Sequence, residues 1–153
     1  MGSPGSVGSP VVARFLDGRV LKGLVQNFLP NRPLFHLYPV GSDASYGAAV
    51  RLAELKALFF VKTFEGNKNY VEDADVTHSS TIGRRIVVTF LDGELLTGVT
   101  SGYSSSKPGF FVTPTDLASN NIRIFVVASS VKSVAWADSA AVIHAKVAAP
   151  AKR

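Results

Sequence analysis

Cysteine is absent from the 153-residue chain. That excludes a disulfide framework, a thiol nucleophile and a thiolate metal site. Histidine occurs only at His36, His78 and His144, a thin supply for an imidazole-based metal centre or a general base. No apolar run approaches the roughly 20 residues of a membrane-spanning helix, so no span is expected. Charged residues make up only 18% of the chain, and no five of one sign stand together, so a polybasic or polyacidic arm is also excluded. The phosphate-binding loop, the dinucleotide fingerprint and the serine nucleophile elbow are all missing. The expectation is a protein that is not an enzyme and that carries no cofactor or metal.

What is present suits a folded domain. Hydrophobic residues reach 46% and aromatics 10%, ample for a packed core. The net charge of +5 is unevenly spread: residues 11–68 carry +4, residues 69–83 carry −3, residues 84–138 carry +1 and the remainder +3. A basic first half can attract nucleic acid through its long-range potential. Residues 1–10, MGSPGSVGSP, read as a disordered leader. Residues 138–153 are alanine-rich and read as a tail, with a short helix capped by Asp138 or Ser139.

The strongest signal is an internal duplication. The 29 residues from Val11 align without a gap on those from Ile86, and ten positions are identical. The identities include Phe15/Phe90, Leu16/Leu91, Asp17/Asp92, Gly18/Gly93, Gly23/Gly98, Pro33/Pro108 and Phe35/Phe110. One residue of slippage then brings Leu55-Lys56 onto Val131-Lys132. Two copies follow, over 11–63 and 85–137, joined by a linker over 64–84.

Each copy reads as five short strands. In the first they fall at Val11–Leu16, Arg19–Phe28, Leu34–Tyr38, Ala48–Leu52 and Lys56–Val61. Asp17-Gly18 marks a hairpin. Val11, Ala13 and Phe15 share one face, as do Leu21, Gly23 and Val25. Keeping both sets on the same side needs an odd-numbered loop, and a three-residue turn with Gly18 left-handed in a bulge provides one. Gly23 and Gly98, inside second strands, predict a bend or the close approach of another chain segment. Phe59-Phe60-Val61, Phe110-Phe111-Val112 and Phe125-Val126-Val127 are apolar without alternation. Strands of that kind are covered on both faces, so they predict a contact between the copies or between molecules.

The run from Phe15 through Asp17-Gly18 to Gly23 and Phe28 resembles the first motif of Sm-like small barrels, five-stranded SH3-like folds that often form rings and bind RNA. The duplicated layout also resembles an uncharacterised bacterial family of tandem small barrels. The resemblance implies an all-β protein of two tandem five-stranded, partly open SH3-like or Sm-like barrels, in a bacterial cytoplasm. A single sandwich built from all ten strands is the structural alternative. The resemblance does not extend to the RNA site. The residues that carry base contacts in Sm-like proteins are replaced by Leu29 and Pro33 in copy one and by Ser104 and Pro108 in copy two. Of the later Arg-Gly pair, only Arg51 is kept.

The expected role is a non-catalytic binding or scaffolding module, with an unknown protein partner or self-association. The alternative is binding of RNA or single-stranded DNA. The candidate surface has three parts. Arg14, Arg19 and Lys22 form a candidate basic stripe on the first hairpin, and nucleic acid gains if they share a face with Arg32 and Arg51. Phe28 with Arg32, and Tyr103 with Lys107, pair an aromatic with a cation four residues later, the combination that stacks bases and tracks phosphates. Arg84 and Arg85 add a local pair. The competing expectation for Phe28 and Tyr103 is closure of the core. His36 stands where copy two has Phe111, which predicts a packing position. His78, after Glu72, Asp73 and Asp75, reads as part of a solvated acidic linker.

Overall fold

Each copy begins with the predicted hairpin. In a computed structural model, which describes residues 8–26, 28–40, 47–64, 83–115 and 118–136, β1 (Ser9–Phe15) turns into β2 (Val20–Val25). Gly18 N donates to Phe15 O, Phe15 N donates to Arg19 O, and Gly18 sits at φ 95°. That is the three-residue loop with a left-handed glycine, which keeps Val11, Ala13, Phe15 and Val25 together in the core. The second hairpin, β6 (Arg84–Phe90) into β7 (Leu95–Thr100), repeats it, with Gly93 at φ 91° and the same two backbone bonds. Strand β1 starts at Ser9, paired with Val25, so residues 9 and 10 belong to the sheet and not to a leader. Residues 1–7, the linker residues 65–82 with His78, and the tail from 137 with His144 lie outside the described residues.

The remaining strands are β3 (Leu34–Pro39), β4 (Ala48–Arg51), β5 (Leu55–Val61), β8 (Gly109–Val112), β9 (Asn121–Val127) and β10 (Val131–Trp136). One 3-10 turn, Leu52–Glu54, links β4 to β5, and its counterpart Ala128–Ser130 links β9 to β10. All pairing is antiparallel. Gly23 and Gly98 explain themselves by proximity. A Cβ on Gly23 would fall on the Leu37 side chain and the Tyr38 carbonyl, and one on Gly98 on Val112 and the Thr113 carbonyl.

The ten strands form open sheets, a seven-stranded one in the order β4-β3-β2-β1-β5-β9-β8 and a three-stranded one in the order β10-β6-β7. A bridge between Val99 and Thr113 links β7 to the end of β8. No closed barrel occurs among the described residues, in contrast to the two barrels expected. The reason lies in the strands that lack alternation. Strand β5 pairs with β1 of its own copy on one side and with β9 of the other copy on the other, from Ala57↔Val126 to Phe60↔Arg123. Leu55, Leu58 and Phe60 enter the core of copy one, while Ala57 and Phe59 pack on the core of copy two. Strand β9 divides likewise, with Phe125 and Val127 in the first core and Ile124 and Val126 in the second.

Two glycine substitutions separate the reasons for keeping glycine. Gly98→Ala overpacks the approach of β7 to β8 and is expected to cost about 1–3 kcal/mol. Gly18→Ala meets nothing within 4 Å and is expected to cost about 1–2 kcal/mol through its positive φ alone. Urea unfolding measures both. A Gly98→Ala protein as stable as the parent would show that β7 and β8 lie farther apart than described.

Candidate binding site

The joint between the copies is polar as well as apolar. Lys56, whose side chain is only 6% exposed, extends from β5 to the second hairpin. Its Nζ donates to Asp92 at 2.8 Å and also to Glu94, and it lies 4.7 Å from the centre of the Phe90 ring. Burial of an ammonium costs several kcal/mol unless it is paired, and here two carboxylates and an aromatic face do so. Asp92 is held below the usual carboxylate range, first by the Lys56 hydrogen bond and then, against some desolvation, by the Glu94 backbone N–H. Arg14 reaches Glu94 at 3.5 Å and stacks its guanidinium over Phe59. Ser130, fully buried, offers its hydroxyl to the carbonyls of Lys56 and Val127 and so ties the second 3-10 turn to β5.

These pairings dissolve the expected basic stripe. Arg14 belongs to the joint. Arg19 bonds Asp17 at 2.9 Å and covers the Phe15 ring. Asp17 is lowered in turn, first by the Arg19 backbone N–H. Lys22 donates to the Phe64 carbonyl. The asymmetry between Arg19 and Glu94, visible in the sequence, places a second carboxylate beside Lys56 at the joint.

The other candidates divide between core and solvent. Phe28 is half-buried, and its ring meets Phe35, Phe60, Phe111 and Phe125 edge-on at 5.2–6.4 Å between centroids. Tyr103 packs on Phe110 and Trp136. Both therefore close cores, each edge-to-face pair adding about 0.5–1.5 kcal/mol. Arg32 and Lys107 are exposed on the loops after them, and Arg51 is exposed on β4. Arg84 stacks on Trp136, and Arg85 is half-buried beside it on β6. His36 is exposed, against the expected packing position. It lies on the outward side of β3, whereas its counterpart Phe111 is drawn into the aromatic cluster around Phe28. The sequence reading missed Arg123, whose guanidinium lies 4.5 Å and 4.4 Å from the ring centres of Phe60 and Phe111. An arginine in an otherwise apolar β9 was the signal for it.

Among the concavities of the described residues, one of about 450 Å³ lies over the Lys56 joint and one of about 330 Å³ beside Phe60 and Arg123. Two more lie by the loops that follow the second strands. One, of about 420 Å³, is polar in part and is lined by Phe28, Arg32, His36 and Tyr38. The other, of about 380 Å³, is a largely apolar groove to which both copies contribute. Pro33 and Leu52-Ala53 form one bank, and their counterparts Pro108 and Ala128-Ser129 form the other. The banks are built by the same device. Leu52 N donates to Pro33 O at 2.9 Å, and Ala128 N donates to Pro108 O at 2.8 Å. Neither of these two gathers a nucleophile with a base, and what they offer is shape, apolar surface and an exposed cation, Arg32, that lines both.

These features define a duplicated all-β protein whose copies share a sheet and present a groove at their junction. The chain belongs to the family described as Family of unknown function (DUF6982), which matches residues 7–137. No curated protein and no solved structure matches it.

Removing either side of the Lys56 cluster has unequal effects. Asp92→Ala with Glu94→Ala strands a buried ammonium and is expected to cost about 3 kcal/mol or more. Lys56→Met leaves carboxylates that water can reach, and is expected to cost about 1 kcal/mol or less. The lowered Asp92 also sets a pH dependence. Its contribution is complete above the ordinary aspartate value near pH 4 and is lost as pH falls through the lowered folded value. Urea midpoints between pH 2 and pH 6 read this, and the Lys56→Met protein should show a shallower acid loss. Equal slopes would remove Lys56 as the cause.

Proposed function

We propose that this protein is a non-catalytic scaffolding module that binds a protein partner along the groove between its two copies. The observation that carries the reading is the groove's construction. Equivalent proline and 3-10 elements from both copies converge on one apolar channel, where prolines carry no backbone N–H and Leu52 and Ala128 donate theirs to the Pro33 and Pro108 carbonyls. Apolar concavities with few polar groups suit apolar segments of other molecules. The strand order within residues 9–61, with the last strand beside the first, supports reading each copy as an Sm-like small barrel that has opened to share β5 and β9. A bacterial cytoplasm is the setting that this likeness suggests.

Nucleic acid is the second reading, and a specific feature favours it: Arg32 and Phe28 line one concavity with His36 and Tyr38. It ranks lower because Arg14, Arg19 and Lys22 are engaged within the molecule.

Photo-crosslinking tests both. A benzoylphenylalanine at Ala53 or Ser129, each exposed on a groove bank, is expected to give discrete adducts in cells of the native host. They should be sensitive to protease and resistant to nuclease. The same probe at Leu91, on the exposed tip of the second hairpin, should give none of them. Nuclease-sensitive adducts would move the assignment to nucleic acid, and no adduct at either bank would overturn the groove.

A further inference from the structure

The strands follow one another in a single succession that starts at β4 and ends at β10. Among the described residues, each of these two has a strand partner on one side only. They are also the counterparts of the strands that make the joint. Strand β5 corresponds to β10, and β9 corresponds to β4, by the repeat itself. The chain thus already contains one instance of a head-to-tail contact, last strand of one copy against fourth strand of the next, and carries the two unused halves of another.

We propose that a second molecule of this protein docks by adding its β4 to the β10 edge, repeating between molecules the contact that β5 and β9 make within one. This names a partner for the scaffolding reading and uses a different surface from the groove. The internal register fixes the intermolecular one. Ala57↔Val126, Leu58↔Phe125, Phe59↔Ile124 and Phe60↔Arg123 translate into Ser133↔Val50, Val134↔Ala49, Ala135↔Ala48 and Trp136↔Gly47. Backbone groups on both edges supply the ladder, as in other strand additions. Because the contact joins unlike surfaces, it propagates until a ring closes.

The side chains set its strength. Where the joint has Phe59 and Phe125, the open ends have Ala135 and Ala49, so less apolar surface is covered. Where Lys56 meets Asp92 and Glu94, Lys132 would meet Asp17 and Arg19. One carboxylate of the pair is thus replaced by a cation that already holds Asp17. The intermolecular contact is therefore weaker than the joint, and it is reversible and concentration-dependent. It also follows that a single charge change repairs it: Arg19→Glu recreates beside Asp17 the acidic pair that Lys56 uses.

The absence of cysteine makes the test clean. Ala48→Cys protein and Ala135→Cys protein are purified separately, mixed and mildly oxidised. A disulfide between the two variants is expected, in excess of either self-linked pair. Sedimentation velocity of the parent is expected to show mass rising above 16.2 kDa with concentration, and Arg19→Glu is expected to lower the concentration for half-assembly by roughly tenfold. A parent and an Arg19→Glu protein that both remain monomeric at about 0.5 mM would overturn the proposal. So would disulfides confined to like variants, which would mean a symmetric contact. Groove crosslinks at Ala53 and Ser129 are read independently, so loss of self-association leaves the groove assignment standing, and the reverse also holds.

Discussion

The β5–β9 ladder is the constraint on which the rest of the molecule depends. It lies between two cores, and each of its strands sends alternate side chains into each of them. Leu58 and Phe125 face one way, Ala57 and Val126 the other. A small five-stranded unit buries little apolar surface and is marginal alone. Sharing two strands removes an edge from each copy and makes each core a condition for the other. Ten strands then behave as one body, although the duplication repeats with a period of about half the chain. The groove exists for the same reason, since its banks are brought together by the strands that lead into the two 3-10 turns.

The polar part of the joint has a different role from the apolar part. A buried Lys56 between Asp92 and Glu94 adds little net stability, because desolvation of the ammonium offsets most of the attraction. It does discriminate between arrangements. Slipping β5 against β9 by one residue would exchange the two faces of every side chain and would also leave the ammonium buried without its carboxylates. Ser130, held to the Lys56 carbonyl, fixes the same point from the opposite side. Apolar burial supplies the attraction between the copies, and Lys56 supplies the register.

The local structure was legible in the residues. Asp17-Gly18 and the parity of Val11, Ala13 and Phe15 were enough to specify the three-residue loop and its left-handed glycine, because those features depend only on neighbours in the chain. The same holds for the strand contents and for the close approaches at Gly23 and Gly98. The non-alternating strands also announced that something would cover their second face. What they could not convey was the cover itself, since a strand apolar on both sides is equally satisfied by a neighbouring copy or a neighbouring molecule. Charges were the least legible. Arg14 and Arg19 look alike in sequence, yet one serves the joint and the other its own turn, and the difference rests on Glu94, which is 80 residues from Arg14. His36 was misjudged because its counterpart Phe111 is covered in part by Phe28 and Phe60 of the other copy, and among the described residues His36 has no such neighbour across the joint.

Duplication makes the two copies alike in fold and then lets them differ where they meet. Three pairs of equivalent positions around the joint show this: Glu94 stands against Arg19, Phe59 against Ala135 and Phe125 against Ala49, with the larger or complementary residue at the internal contact. Such a pattern separates two strengths of a single geometry. The internal contact is made firm enough to be part of the fold, since two marginal units depend on it. The outer edges keep the same backbone complementarity with smaller and less well matched side chains. A sheet edge with strong apolar side chains would pair indiscriminately. One whose side chains are small and whose charges are partly satisfied pairs only with a strand of matching register, and only when its concentration is sufficient.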